Sequence, residues 1–191
     1  PLQGQHYLIG EILKSYVKQT IEMDKQFTPF TYIASEYRFR NAYRVNEELE
    51  LNFKGSIDRV DQVGKSVRII DYKTGKGDTR FRNMESLFDA TKANRPYQIL
   101  QVLIYGLFYL QKNPGTLISP ALYYLRSVYD QSDPVICFDK HPIQDLSLLL
   151  PEFRQHFDAL LEEVFDPAVP FTQTKNSRNC EWCAFRELCN R

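Results

Sequence analysis

The most informative part of this chain is residues 58–73, with the sequence DRVDQVGKSVRIIDYK. Apolar and polar residues alternate on both sides of Gly64-Lys65, and alternation with a period of two predicts half-buried β-strands. The alternating apolar positions are Leu49, Leu51, Phe53, Val67 and Ile69. We therefore expect two strands joined by a short turn, which is a β-hairpin.

The predicted hairpin brings two carboxylates together. If the strands pair symmetrically about Gly64-Lys65, Asp58 lies directly opposite Asp71, and Lys73 follows on the same face. Opposed carboxylates repel each other, and a divalent cation such as Mg²⁺ or Mn²⁺ removes that repulsion. A neighbouring lysine can orient an attacking water or neutralise a phosphoryl group. The pattern indicates a metal-dependent phosphodiesterase site; the alternative is a solvated strand end with an ordinary ion pair.

The hairpin belongs to a longer pattern, Gly55-Ser56-Ile57-Asp58-Arg59-Val60-Asp61, a turn, and then Ile70-Asp71-Tyr72-Lys73-Thr74-Gly75. This combination resembles the RecB-family nuclease domains of the PD-(D/E)XK superfamily, which occur in bacterial helicase–nuclease complexes. The resemblance implies that Asp58 and Asp71 are ligands of Mg²⁺ or Mn²⁺, and that Lys73 is the catalytic lysine.

Three further residues relate to the same family pattern. Asp61 matches it, but its position near the turn predicts that it caps the turn. Acidic residues on or before the first strand are sometimes metal ligands in this family, so Glu36 is either a further ligand or a surface residue of its strand. The first helix of many members contributes a histidine; His6 precedes a helical segment here, but its context does not match that motif.

A mostly apolar segment after Arg95-Pro96 predicts a largely buried helix that stops at Asn113-Pro114-Gly115. Gln98, Gln101 and Tyr105 form one polar stripe along it. These side chains either contact a carboxylate–lysine cluster or a phosphate backbone, or they face water at the helix edge. The resemblance favours the first interpretation, because RecB-like nucleases carry a Gln-x-x-x-Tyr motif here, which Gln101 and Tyr105 match.

Three cysteines near the C-terminus, Cys180, Cys183 and Cys189, have the spacing C-x2-C-x5-C. They are either free thiols, a disulfide, or a metal clip for zinc or an iron–sulfur cluster. AddB-like members of the nuclease family hold a [4Fe-4S] cluster with three C-terminal cysteines in this spacing and one upstream. By that resemblance the fourth ligand lies outside this chain. Cys137 sits in an apolar run and is predicted to be a core residue.

Composition limits the class of protein. The 191 residues are enough for a single domain, residues 1–191, with residues 170–191 as its cysteine-containing tail. Without an initiating methionine, a signal peptide or an apolar run of membrane-spanning length, we expect the C-terminal nuclease domain of a longer cytoplasmic protein, with no membrane partner.

Charge gives only a local signal. Lys and Arg number 24, and so do Asp and Glu, so no global basic field indicates nucleic acid. Residues 65–95 are richer in positive charge, and Arg80-Phe81-Arg82 interleaves an aromatic ring with two cations. That stretch suits phosphate and base contacts, or it is a solvated loop.

The remaining patterns predict the order of the elements. We expect a helix over residues 5–25, an extended run over 30–43, the hairpin, a polar connection over 75–94 and the Gln/Tyr helix. Strands follow at 117–128 and 135–139, paired as a hairpin across residues 129–133, and then a helix that ends at Asp166-Pro167. The fold class is α/β, with a restriction-endonuclease-like core of a mixed central β-sheet flanked by helices.

The resemblance implies a metal-dependent DNA nuclease with exonuclease activity in helicase–nuclease DNA repair and recombination. Its partners would be DNA and a helicase subunit or a helicase domain of the same system. Two alternatives stay open. One is a catalytically inactive nuclease-like module that binds DNA or acts as a scaffold with a structural metal cluster, and the other is a zinc-clipped interaction domain.

Overall fold

The computed structural model describes residues 3–92, 94–127, 133–174, 176–181 and 183–190. The helices are α1 (Gln5–Lys25), α2 (Glu85–Phe88), α3 (Tyr97–Lys112) and α4 (Leu150–Phe165). The strands are β1 (Phe30–Arg44), β2 (Glu50–Val63), β3 (Ser66–Lys73), β4 (Arg80–Phe81), β5 (Leu117–Tyr124), β6 (Cys137–Phe138) and β7 (His141–Pro142). Two short 3-10 helices span Leu146–Leu148 and Ser177–Cys180.

The main sheet has the strand order β1-β2-β3-β5. Strands β1, β2 and β3 are antiparallel neighbours, and β5 pairs with β3 in parallel. The connection from β3 to β5 contains α2 and α3, because a parallel neighbour has to be reached through a crossover. The predicted α/β fold with a mixed sheet flanked by helices is confirmed.

The predicted hairpin is formed by β2 and β3. Val63 pairs with Ser66 across Gly64-Lys65, and the register continues as far as Arg59 opposite Ile70. Gly64 has a φ of 57°, a left-handed conformation that glycine adopts without steric cost. The turn therefore sets the symmetric register on which the placement of the two carboxylates depends.

The two faces of the main sheet pack against different helices. Ile69 of β3 is fully buried in the larger core, together with residues of α3 and α4. Its neighbour Ile70 is fully buried in a smaller core with Met23 of α1 and Tyr123 of β5. Because side chains alternate along a strand, every second residue of β3 faces α3, and the others face α1.

The helices α3 and α4 lie where the sequence predicts them. Helix α3 begins after Pro96 and is buried along most of its length. Helix α4 buries Phe153, Phe157 and Leu161, which recur every four residues and so form one face. It ends at Phe165, directly before Asp166-Pro167, as expected.

The predicted polar connection over residues 75–94 is wrong in part, because this segment contains β4, α2 and part of the core. Phe81, Met84 and Leu87 are buried against the main cluster. These three apolar residues recur every three positions, but such a short pattern in a polar segment is too weak to predict that they pack inside.

The predicted hairpin of residues 117–128 and 135–139 is also only partly correct. Ala121 of β5 forms an antiparallel bridge with Val135, and the Ile136 amide donates to the Pro120 carbonyl at 2.9 Å. The chain then leaves this sheet, and β6 joins β4 and β7 in a second, three-stranded sheet. Residues 128–132 of the predicted connection lie outside the described residues.

Helix α1 has the predicted bounds, but its apolar stripe is not in the core. Only Gln19 and Met23 are buried along it. The exposed apolar residues of α1 are Tyr7, Leu8, Ile9, Ile12, Leu13, Val17 and Ile21. Within the part of the chain that the structure describes, no helix combines the length and the apolar character needed to cross a membrane.

Candidate active site

The carboxylates of Asp58 and Asp71 lie at the end of the β2–β3 ladder. The last pair in the register is Arg59 with Ile70, so the next residues along the two strands are Asp58 and Asp71. Asp58 Oδ2 accepts a hydrogen bond from the backbone amide of Tyr72 at 2.8 Å. This bond ties the Asp58 carboxylate to the strand that carries Asp71, as the hairpin predicts.

Lys73 connects this pair to α3. Its Nζ atom is 2.7 Å from Asp71 Oδ2 and donates a hydrogen bond to Gln101 Oε1 at 2.8 Å. Gln101 Nε2 in turn donates to the Tyr105 hydroxyl at 2.6 Å. The structure therefore brings Asp58, Asp71, Lys73, Gln101 and Tyr105 together at one edge of the sheet.

The position of the polar stripe on α3 explains this connection. Gln101 and Tyr105 are one helical turn apart and half-buried, while their apolar neighbours on α3 pack into the larger core. Gln98, one turn before Gln101, lines a cleft beside the site and makes no contact with Lys73 among the described residues. Of the three residues of the polar stripe, Gln101 thus contacts the carboxylate–lysine cluster directly, through Lys73.

Asp71 is the most buried of the five residues, with 3% of its surface exposed. Burial raises the pKa of Asp71, the Lys73 ammonium opposes that rise, and the negative charge of Asp58 adds to it. Burial also raises the pKa of the Tyr105 hydroxyl, and the charges of Asp71 and Asp58 contribute to that rise. The site thus holds negative charge in a poorly solvated position, which a cation would stabilise.

The oxygen atoms present suit Mg²⁺ or Mn²⁺. Asp71 Oδ2 is buried and, although it is ion-paired with Lys73, it accepts no hydrogen bond within the described part of the chain. Mg²⁺ commonly binds to one or two carboxylates and keeps several waters. No group of three His, Cys, Asp or Glu side chains among the described residues could hold a metal ion, so the protein would supply two carboxylates here.

The prediction that Asp61 caps the turn is wrong. Asp61 is fully buried on the α1 face and accepts two hydrogen bonds from Arg68, both at 2.7 Å, and a third from Arg59. The register that places Asp58 opposite Asp71 also places Asp61 opposite Arg68. That opposite-charge pair was the signal in the sequence for the true role of Asp61.

Asp24 completes this network and has no signal in the sequence. Its carboxylate accepts hydrogen bonds from Arg59 Nη1 at 2.6 Å and from the Tyr123 hydroxyl at 2.9 Å, which fastens α1 to the sheet. Arg59 Nη1 also donates to the Tyr72 hydroxyl at 3.1 Å. Tyr72 therefore links the two faces, because its amide holds Asp58 and its side chain joins the arginine network.

Glu36 and His6 differ in their relation to the five residues, because the β1–β2 register places Glu36 opposite Asp58, between the pairs Ser35–Arg59 and Tyr37–Ile57. Glu36 is exposed, has a φ of 49° and accepts a hydrogen bond from the Ser56 hydroxyl at 3.0 Å. His6 is exposed in the first turn of α1, and none of the contacts in the described residues joins it to the site. Both roles that the sequence allowed for Glu36, a further metal ligand and a surface residue of its strand, therefore stay predictions.

The described part of the C-terminal tail does not bring the cysteines into a metal-binding group. Cys180 and Cys189 are half-buried and Cys183 is exposed, and all three are free thiols. Trp182, between the first two cysteines, lies outside the described residues. Cys137 is only half-buried in β6, so its predicted place in the core is corrected: β6 belongs to the small second sheet rather than to the main one.

Comparison with protein families gives one finding that covers almost the whole chain. A family model described as the PD-(D/E)XK nuclease superfamily matches residues 4–190. Comparison with curated proteins gives no match. The matched region includes both strands of the hairpin, helix α3 and the cysteine-containing tail.

Proposed function

Because the chain belongs to the PD-(D/E)XK nuclease superfamily, we propose that it hydrolyses phosphodiester bonds in DNA with Mg²⁺ or Mn²⁺ held by Asp58 and Asp71. One observation carries the proposal. The two carboxylates and the Lys73 amine converge at the end of the β2–β3 ladder, where Lys73 Nζ is 2.7 Å from Asp71.

Each residue of the site has a distinct task in this mechanism. When bound, Mg²⁺ or Mn²⁺ would supply Lewis-acid chemistry towards a phosphoryl oxygen and a water. Asp58 and Asp71 provide the ligands of the metal, together with the backbone carbonyl of Tyr72. Lys73 positions the attacking water, and its ammonium is held in place by Gln101. Tyr105 fixes the amide of Gln101 through the 2.6 Å hydrogen bond.

We also propose the finer role that the motifs suggest: an exonuclease of the RecB/AddB type, in a helicase–nuclease system of DNA repair and recombination. The support is the motif set, Gly-x-x-Asp-Arg-x-Asp, Asp-Tyr-Lys-Thr-Gly and Gln-x-x-x-Tyr, found in one chain. A helicase subunit or domain would supply the unwound strand. The intact set of five residues argues against the alternative of an inactive DNA-binding module.

For Cys180, Cys183 and Cys189 we propose a structural role as ligands of a [4Fe-4S] cluster whose fourth ligand is outside this chain. The support is the spacing C-x2-C-x5-C, and zinc is the alternative metal. Visible absorption of the protein together with iron, sulfide and zinc analysis distinguishes the two. A protein that contains none of these elements would contradict both.

Cleavage of linear DNA in the presence of Mg²⁺ or Mn²⁺ tests the nuclease proposal. We expect Asp71→Ala and Lys73→Ala each to lower the cleavage rate by about a hundredfold or more, because each removes a group that acts on the metal or the water. Lys54→Ala is the matched control, since Lys54 is an exposed lysine of β2.

Circular dichroism of each variant checks that the fold is retained. Undiminished cleavage by a folded Asp71→Ala or Lys73→Ala protein would contradict the assignment. Comparison of linear with covalently closed DNA tests the exonuclease role, because an exonuclease requires a strand end.

A further inference from the structure

A basic cleft lies beside the candidate active site. It has a volume of about 690 Å³ and lies between the segment from Lys76 to Asn83 on one side and Lys92 with residues 94–98 on the other. Its cations are Lys76, Arg80, Arg82, Lys92 and Arg95, and the acidic residue Asp78 also lines it. A concentration of positive charge in a concave surface favours a polyanion.

Three of these cations are available to a ligand. Arg80 is held by Asp78 through hydrogen bonds of 2.8 and 3.0 Å, and Lys92 lies 3.6 Å from Asp89. In the described part of the chain, no ion pair involves Lys76, Arg82 or Arg95. Their charges are therefore free to neutralise phosphate groups.

The cleft is next to the site through two of its lining residues, Tyr124 and Gln98. Its wall contains Tyr124, which pairs with Lys73 in the β3–β5 ladder. Burial, and then the negative charge of Asp71, raise the pKa of Tyr124 to about 12. On α3, Gln98 of the cleft lies one turn before Gln101, the residue that holds Lys73. A strand whose phosphate reached Lys73 would extend directly into the cleft.

The walls of the cleft are fixed by close packing. A Cβ atom at Gly77 would overlap the ring of Tyr124, so the backbone approaches the sheet as closely as it can. Phe81 is buried and packs on Phe138 with ring centroids 5.0 Å apart. The Arg80-Phe81-Arg82 pattern suggested that this ring contacts a base, but a buried ring is unable to do so. Phe81 instead anchors β4 and leaves the two arginines exposed.

A different aromatic residue is available for stacking. Tyr97, the first residue of α3, has 60% of its surface exposed and lines the cleft beside Arg95. Cations that follow a backbone together with an exposed aromatic ring are the combination that binds single-stranded nucleic acid, because unpaired bases present their faces. A cleft of about 690 Å³ is in the size range of pockets that hold one small molecule, and it therefore matches one or two unstacked nucleotides better than a duplex.

We propose that this cleft binds the single-stranded DNA segment that flanks the scissile phosphate. Arg82, Arg95 and Lys76 contact its phosphates, and Tyr97 stacks on a base. The inference rests on the proposed nuclease function and names its substrate class: a free or unwound DNA strand rather than an intact duplex.

Binding without cleavage tests the cleft separately from catalysis. The probe is a fluorescent oligothymidylate of about twelve nucleotides, titrated in EDTA and followed by anisotropy. We expect the double variant Arg82→Ala/Arg95→Ala to bind about tenfold or more weakly, with the salt dependence of log K reduced by about 1.4, or about 0.7 for each lost phosphate contact. Tyr97→Ala should also weaken binding about tenfold, and Tyr97→Phe should restore it.

The control is Lys112→Ala, which removes a cation at the opposite end of α3, about 22 Å away; it should leave binding unchanged. Wild-type affinity in the cleft variants, or equally tight binding of a blunt duplex, would overturn the cleft proposal even if the protein cleaves DNA. If the binding results are as expected but the wild type cleaves no DNA with Mg²⁺ or Mn²⁺, the proposed nuclease function is wrong, whereas the proposal that the cleft binds single-stranded DNA is supported.

Discussion

Asp71 combines burial, a positive neighbour and a negative neighbour in one carboxylate. Burial and the charge of Asp58 favour its protonated form, whereas Lys73 favours the ionised form, and the resulting pKa is raised. In the metal-free protein this shift stabilises the fold at pH values below the pKa of an unfolded aspartate. That stability is lost as the pH rises through the folded-state pKa, because the folded state binds the extra proton.

The same shift predicts a pH-dependent metal affinity. A protonated Asp71 does not bind a cation, so below the raised pKa we expect Mn²⁺ affinity to fall about tenfold for each pH unit. The cleavage rate should fall over the same range, at higher pH than an ordinary aspartate would require. Calorimetric titration of Mn²⁺ between about pH 4 and pH 8 measures the effect. A constant affinity across that range would contradict the prediction.

At the scale of the element, Gly55 allows β2 to pack closely against the aromatic core. Gly55 pairs with Phe39 of β1, and a Cβ atom at Gly55 would lie 2.5 Å from the Phe39 ring. Phe39 stacks on Phe108 at 5.3 Å and meets the edge of Tyr105 at 5.8 Å. The glycine of the Gly-x-x-Asp-Arg-x-Asp pattern thus leaves room for a ring that supports a residue of the candidate site.

Gly55→Ala should therefore destabilise the protein by about 1–3 kcal/mol, the usual cost of overpacking a buried site. Gly75→Ala is the control, because no atom lies within 4 Å of a Cβ there, and we expect a change of no more than about 0.5 kcal/mol. Urea unfolding of both variants gives the two free energies. Equal stability of the two variants would show that Phe39 moves aside without cost.

How far the sequence predicts the structure depends on the element. The hairpin could be placed because regular alternation and a two-residue turn together determine one register, and that register also aligned Asp58, Asp71 and Lys73. The contact of Lys73 with Gln101 is one of the alternatives that helix spacing and the family motif left open. The burial of Met84 and Leu87 could not be predicted, since it depends on tertiary packing that a short segment does not encode.

At the scale of the whole molecule, α1 is held to the sheet mainly by charged groups. The Arg59 and Arg68 guanidinium groups lie between Asp24 and Asp61, and Arg68 also lies over the Phe27 ring at 4.3 Å. Asp24 is separated along the chain from Arg59 by 35 residues and from Tyr123 by 99 residues. No local pattern in the sequence therefore reveals the network. The cluster is buried, so each member depends on the others.

Removal of one member of this charged cluster should therefore lower the free energy of unfolding considerably. We expect Asp61→Ala to destabilise the protein by about 3–5 kcal/mol, because the buried Arg68 loses both hydrogen bonds to Asp61 and keeps only Asp24, at 3.9 Å, as a counter-charge. The comparison is Glu50→Ala, which breaks an exposed pair with Arg44 of 3.5 Å and should cost about 0–1 kcal/mol. Chemical denaturation of both variants measures the difference. A cost for Asp61→Ala as small as that for Glu50→Ala would mean that water replaces the lost carboxylate.

The alternation along β3 has a consequence for folding fidelity. A slip of this strand by one residue against β2 would turn Arg68 into the larger apolar core and Ile69 towards the arginine network. The slip would leave the Arg68 charge without a partner in the core and place a large aliphatic side chain among charged groups, so misaligned pairings are strongly disfavoured. Aligned carboxylates are thus a by-product of folding correctly, and a molecule that reaches its native state needs no separate step to assemble the candidate active site.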